Sequence, residues 1–159
     1  MAETTTESAP PARKVTLKSE EGELLEVEER AAKLSEIIKN ILDEVESPEV
    51  EIPVPNVKAS VLKTVICYCT SYVEKKSDEE ALKAFKKEFV EENWNSLLDL
   101  ITAAGFLLVK EMYEFLRKAI AKKIKNMSIE EVREYFGVVN DYTPEEEQQY
   151  RAQNKWAFE

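Results

Sequence analysis

The sequence predicts an α+β fold that is predominantly helical, with a small mixed N-terminal part and a run of amphipathic helices behind it. Two observations carry this. Apolar residues alternate on either side of a Glu-Gly-Glu turn near the start, which is the period of paired strands. From Leu34 onward they recur at three-and-four spacing, which is the period of a helix with one buried face. The composition agrees: three glycines and 34% charged residues in 159 describe a helix-rich chain, and 43% hydrophobic residues can fill one core with a helical segment appended.

In order along the chain, MAETTTESAPPARK over residues 1–13 and just beyond is rich in Thr, Ser and Pro and reads as a disordered lead-in. Val15 and Leu17, the Glu21-Gly22-Glu23 turn, then Leu25 and Val27 make the hairpin. Leu34, Ile37, Ile38, Ile41, Leu42 and Val45 form the buried face of the first helix, which Pro48 helps to end. In EIPVPN, Pro53 and Pro55 hold Val54 extended and remove ladder donors, so a strand there is short or at an edge. Asn56 is placed to cap the next helix, whose broad face carries Val61, Leu62, Val65, Ile66, Cys69, Tyr72 and Val73. Residues 74–80, EKKSDEE, have no apolar anchor and read as a mobile linker.

Beyond the linker, Leu82, Phe85, Phe89 and Val90 give a short helix. Leu97, Leu98, Leu100, Ile101 and Ala104 give another that breaks near Gly105. A long helix over about 110–126 carries Met112, Phe115, Leu116, Ala119, Ile120 and Ile124. Ser128 and Glu131 form a capping box for a helix bearing Ile129, Val132, Tyr135 and Phe136, and Gly137 suits a left-handed stop. Thr143-Pro144-Glu145-Glu146 starts the last helix. That helix has little to bury: Tyr150, Ala152, Trp156 and Phe158 stand among glutamates, glutamines and charges. A sharply specified helix without an apolar stripe is expected to borrow its burial from a partner, rather than to be a frayed tail.

Several functions are disfavoured. The chain has no histidine, which removes the commonest general base and metal ligand. Gly22, Gly105 and Gly137 are isolated, so no loop cradles a phosphate. Cys67 and Cys69 point to different sides of a helix, too far round to pair with each other, and lack the further ligands of a zinc site. No enzymatic activity, cofactor, metal or small-molecule substrate is therefore expected. The net charge of −10 argues against a nucleic-acid partner. No run of about 20 apolar residues argues for a membrane span, and the N-terminus lacks the apolar centre of a secretory signal. Unpaired cysteines fit a reduced compartment, so nucleus and cytoplasm are the expected location.

The C-terminal stretch SIEEVREYFGVVNDYTPEEEQQYRAQNKWAFE is the most distinctive part: Glu130 to Arg133, Phe136, Asn140-Asp141, Thr143-Pro144 with three glutamates, Arg151, Asn154 and Trp156. With VTLKSEEGELLEVEE and EIPVPNV it resembles the S-phase-kinase-associated (SKP) adaptor family of SCF ubiquitin ligases, in its plant form. The resemblance covers nearly everything after Lys14. It implies a BTB/POZ-like domain over 14–126 and an overlapping F-box-interaction region over 101–159. The implied partners are F-box proteins and a cullin scaffold. Pro53, Pro55, Asn56, Gly105 and Phe106 are the implied cullin-binding residues. Ile101, Val109, Leu116, Ile120, Ile124, Val132, Phe136, Tyr150, Asn154 and Trp156 are those implied for the F-box.

The chain also departs from the family pattern. Ala103-Ala104-Gly105-Phe106-Leu107 stands where Ala-Ala-Asn-Tyr-Leu is usual, removing an amide and a phenolic hydroxyl. Met112 to Arg117 are bulkier than the usual Leu-Leu-Asp-x-Thr-Cys. Phe85 replaces a tryptophan, Trp94 a glutamine, and EKKSDEE a longer acidic insert. The alternative reading is a diverged F-box-binding module that engages cullin poorly. A homodimeric BTB-like transcription cofactor is disfavoured by the retained terminal helices.

Overall fold

The computed structural model describes residues 13–157. The lead-in expected over 1–13 therefore lies outside the described residues except for Arg13, and so does Phe158. Arg13 itself is ordered: its guanidinium donates to the carbonyls of Leu42 and Val45 and pairs with Glu29 at 3.1 Å.

β1 (Lys14–Lys18) and β2 (Leu24–Glu28) form the expected hairpin. Gly22 sits at φ +85°, a conformation open to glycine, and the Ser19 hydroxyl accepts from the Glu23 amide at 3.1 Å. A short α1 (Glu29–Ala32), not anticipated, leads into α2 (Glu36–Glu44). β3 (Glu49–Pro53) returns parallel to β1, giving the order β2-β1-β3. It is an edge strand and stops at Pro53, as proline requires. The register aligns Val27, Val15 and Val50 in one row and Leu25, Leu17 and Ile52 in the next, so one face of the sheet is apolar.

α3 (Ala59–Lys75) carries the core: Leu62, Val65, Tyr68, Cys69 and Val73 are buried along it. α4 (Glu79–Glu92), a 3₁₀ turn at Trp94–Ser96, α5 (Leu97–Phe106) and α6 (Lys110–Ile124) follow. α7 (Ile129–Phe136) and α8 (Pro144–Gln153), with a final 3₁₀ turn at Lys155–Ala157, complete the chain. Two compact units result, one ending at Ala121 and one beginning at Lys122.

Four local expectations are corrected. Asn56 does not cap α3, which starts at Ala59 after Lys58; the Ala59 amide instead donates to a Glu21 carboxylate oxygen at 2.8 Å. That bond holds the Glu21 carboxyl below its usual range. The apolar face of α2 is only partly covered: Ile38 and Leu42 are buried, whereas Ile37 and Val45 are exposed. The segment 74–80 is helical at both ends, since α3 runs through Lys75 and α4 begins at Glu79, capped by Asp78, and the linker is confined to Lys76 to Asp78. Tyr68, passed over in the periodic reading, is fully buried.

Ser35 ties the sheet side to the later helices. Its side chain is buried, caps α2 by accepting from the Ile38 amide at 3.2 Å, and donates to the Leu107 carbonyl. The Glu36 amide donates to the carbonyl of Leu108, which sits in the left-handed region at φ +50°, and Lys110 pairs with Glu36 at 2.7 Å. A leucine with positive φ is locally costly and persists because both neighbouring helices fix it. Ser35→Ala removes a cap and orphans a buried carbonyl, so it should destabilise the protein by about 2 kcal/mol. Urea unfolding followed by circular dichroism, with the exposed Ser47→Ala as control, measures this; equal midpoints would refute the tie.

Candidate functional site

Two surfaces, one on each unit, gather some of the residues singled out from the sequence. On the first unit the loop between β3 and α3 is clamped from both ends. Val54 and Val57 are buried, the Val54 amide donates to the Lys18 carbonyl at 2.7 Å, and the Glu20 amide donates to the Val57 carbonyl at 2.9 Å. With its flanks anchored, the loop presents Pro55 and Asn56 outward. Asn56 then lines an open groove of about 240 Å³ against α5, whose Asp99, Thr102, Ala103 and Phe106 form the opposite wall. Phe106 is exposed.

The structure thus brings Asn56 and Phe106 together. Pro53 and Pro55 are exposed nearby in sequence but do not line the groove, and neither does Gly105. A Cβ at Gly105 would lie 3.5 Å from the Tyr113 ring, an ordinary contact, so this position faces Tyr113. Glu20, Lys58, Asp99 and Thr102 were missed. Asp99, Thr102 and Phe106 fall at i, i+3 and i+7, so reading the outward face of α5 as carefully as its inward one would have found three of the wall residues.

On the second unit the caps are as anticipated. Ser128 and Glu131 form a capping box, as do Thr143 and Glu146, with Pro144 at the first turn. Gly137 is left-handed at φ 65°, and the amides of Val138 and Gly137 reach back to Arg133 and Glu134, closing α7 with a Schellman motif. No described residue from Lys122 on is buried. Two ion pairs cross from α7 to α8, Arg133 to Glu147 and Arg151 to Glu130, both at 3.9 Å, while Arg151 also holds Glu147 within α8 at 3.1 Å. The Arg151 hydrogen bond holds the Glu147 carboxyl below its usual range, and partial burial raises the Tyr135 hydroxyl.

Apolar groups are meanwhile left in solvent. Tyr142 and Tyr150 touch at a ring separation of 5.1 Å, both about half exposed, beside Asn154 and Trp156 in a groove of about 360 Å³. Asn154 donates its amide to the Tyr150 carbonyl at 3.0 Å, and Trp156 is 78% exposed. Phe136, Val138 and Val139 are exposed too.

Not every expected partner-facing residue is at the surface. Phe136, Tyr150, Asn154 and Trp156 are exposed, and Ile101, Ile124 and Val132 are half-buried. Val109, Leu116 and Ile120 are instead buried, Leu116 completely. Val109 lines the same core crevice as Leu17, Ser35 and Leu62, and Leu116 and Ile120 continue the inward row of α6 that Met112 begins. A helix that closes a core has one such row; Leu116 and Ile120 occupy it, and Val109 sits just before its start.

Known proteins match both units. A family model described as the Skp1 family tetramerisation domain matches residues 13–74, and one described as the Skp1 family dimerisation domain matches residues 110–157. SKP1-like protein 9 of Arabidopsis thaliana is 39% identical over 150 residues, covering 92% of this chain and 98% of its own. The chain belongs to the Skp1 family. SKP1-like protein 20 of Oryza sativa subsp. japonica is 36% identical over 91% of this chain and 94% of its own length. An S-phase kinase-associated protein 1 homolog of Tetrahymena thermophila is 36% identical over 92% and 95%. As a Skp1 family member, the chain is α+β and mostly helical, with a POZ domain around its three-stranded sheet.

The contrast between the units has a measurable consequence. In the free chain, the amides of Tyr150 to Trp156 should exchange with deuterium within seconds to minutes, while those of Leu62 to Cys69 in α3 remain protected for hours. Comparable protection at both places would contradict the account of the second unit.

Proposed function

We propose that this Skp1 family chain is a non-catalytic adaptor subunit of an SCF-type, cullin-RING ubiquitin ligase. Its C-terminal helices hold an F-box protein, and the groove between the β3–α3 loop and α5 holds the cullin. The protein works in nucleus and cytoplasm, in ubiquitin-dependent protein degradation. The observation that carries the reading is the mismatch within the second unit. Its helices are stopped and started by strong local signals, yet it buries none of its described side chains and exposes six large apolar ones. Family membership supports the nature of the partner.

The adaptor does its work by geometry. A partner that covers Trp156, Tyr150 and Phe136 supplies the apolar surface that the unit lacks and orders it on binding. The groove at Asn56 and Phe106 lies on a unit with its own core, so one partner can be exchanged without unfolding the other's site. No described helix is long and apolar enough to cross a membrane. The alternative of a module that engages cullin poorly draws little from Gly105, which faces Tyr113 and not the groove.

Two measurements test the assignment. Trp156→Ala should weaken binding of a recombinant F-box segment about thirtyfold or more, the loss of an exposed aromatic that becomes central on binding. Its melting temperature should match that of the parent chain, and cullin binding should persist. Unchanged F-box affinity would sink the role of Trp156. For the other surface, Phe106→Tyr restores one hydroxyl in the groove and should tighten cullin binding by about two- to tenfold, the worth of one neutral hydrogen bond. Gly105→Asn should add less, because it points elsewhere. Calorimetry showing the reverse order would overturn the assignment of this groove.

A further inference from the structure

One charged patch is not absorbed by this function. Residues 115–129, FLRKAIAKKIKNMSI, hold five basic residues and no acidic one, in a chain of net charge −10. Arg117, Lys118 and Lys122 lie on α6, and Lys125 follows immediately after it; all four are exposed. Arg117 pairs with Glu114 at 2.6 Å. Lys118, Lys122 and Lys125 form no ion pair with any described residue. Elsewhere the lysines divide: Lys14, Lys18, Lys33, Lys63, Lys86 and Lys110 meet glutamates, whereas Lys39, Lys83 and Lys87 pair with no described residue, so what sets this stretch apart is the absence of any acidic residue from 115–129.

Local physics accounts for part of the patch only. A cation in the last turn of a helix is favoured by the macrodipole, which covers Lys122 and Lys123. It does not cover Lys118, a turn earlier, and like charges four apart on a helix repel, as Lys118 and Lys122 do. Glu114, one turn before Lys118, is held by Arg117, so the stretch keeps a net positive charge in a chain with acidic residues to spare.

We propose that this cationic stretch takes a carboxylate-rich segment of the protein bound at the C-terminal helices. The inference rests on the F-box reading above, and it adds a second mode of recognition: charge beside apolar burial. Continuity argues for that occupant, since the stretch runs directly into α7 and its half-buried Val132 and exposed Phe136. Charge argues against a nucleic acid. The remainder of the chain is more negative than the whole, so a long polyanion is repelled everywhere outside the patch. A short acidic segment tethered to a docked partner stays on the patch, and tethering raises its effective concentration.

The test uses the full chain and the triple variant Lys118→Gln, Lys122→Gln and Lys125→Gln. The probes are a recombinant F-box segment carrying a ten-residue Glu-Ser tail and the same segment with a Gln-Ser tail. At about 50 mM salt the parent chain should bind the acidic-tailed probe about five- to tenfold more tightly, and the triple variant should bind both equally. The preference should fade by about 0.5 M salt. Replacing the exposed Lys39, Lys83 and Lys87 by glutamine should leave it intact; its loss there would make net charge the cause and overturn the proposal. Equal binding of both tails by the parent chain overturns the proposal and leaves the F-box reading standing. If neither probe binds, the F-box reading fails. The free Glu-Ser peptide then decides the charge claim, which falls if parent and triple variant bind it alike. A single-stranded oligonucleotide that binds the parent chain more tightly than this peptide would replace the proposed occupant and overturn it.

Discussion

The first unit is organised around Tyr68. Its ring is fully buried near the middle of α3, and four other rings stand 5.0 to 6.3 Å away: Phe89, Phe85 and Phe115 from α4 and α6, and Tyr72 from α3 itself. A buried phenol must find a partner for its hydroxyl or lose the free energy of its hydration. It donates to Glu111 of α6 at 2.7 Å, and burial together with this bond raises the hydroxyl far above its ordinary range. The other Glu111 oxygen takes Lys86 of α4, whose ammonium also lies 5.0 Å from the Phe115 ring and 5.5 Å from that of Tyr72. One hydroxyl, one carboxylate and one ammonium thus fix three helices in register, and the rings fill the space around them. Cys69, on the next position of α3, is pushed up to about 12 by the same burial, which keeps it an inert thiol.

This constraint explains what was legible in the sequence and what was not. The hairpin, the left-handed Gly137, and the Ser128 and Thr143 caps are decided by neighbours within a few residues, and all were readable. The partners that matter most are distant: Tyr68 meets Glu111 across 43 positions, Ser35 meets Leu107 across 72, and Glu21 meets Ala59 across 38. Periodicity marks a face but not what covers it. Hence Ile37 and Val45 were expected inside and stand outside, while Leu116 was expected at a binding surface and closes the core. Asn56 has the chemistry of a cap, but Glu21 reaches the α3 terminus first and leaves Asn56 free to line the groove.

The second unit inverts these proportions. Its local signals are stronger than any in the first unit, and its tertiary anchors are weaker. The ion pairs of Arg133 and Arg151 lie at the surface, half-buried at most, so they contribute about 0–1 kcal/mol each and are screened by salt. Capping boxes stabilise individual helices without setting how the helices pack. The packing of such a unit stays adaptable, which is what the proposed partner-binding role would ask of it.

Charge then separates two properties that usually travel together. The Arg–Glu pairs within the second unit and the cationic stretch around α6 are both electrostatic, but salt acts on them to different ends. Screening the internal pairs loosens α7 against α8 and leaves the exposed aromatics available. Screening Lys118, Lys122 and Lys125 weakens the attraction proposed there for an incoming carboxylate. The burial of Trp156 and Tyr150 proposed on partner binding would be strengthened, not weakened, by a salting-out anion such as sulfate. Affinity measured in sodium chloride and in sodium sulfate at equal ionic strength therefore divides the two contributions. The part lost in both salts belongs to charge, and the part that survives in chloride and grows in sulfate belongs to the aromatic surface.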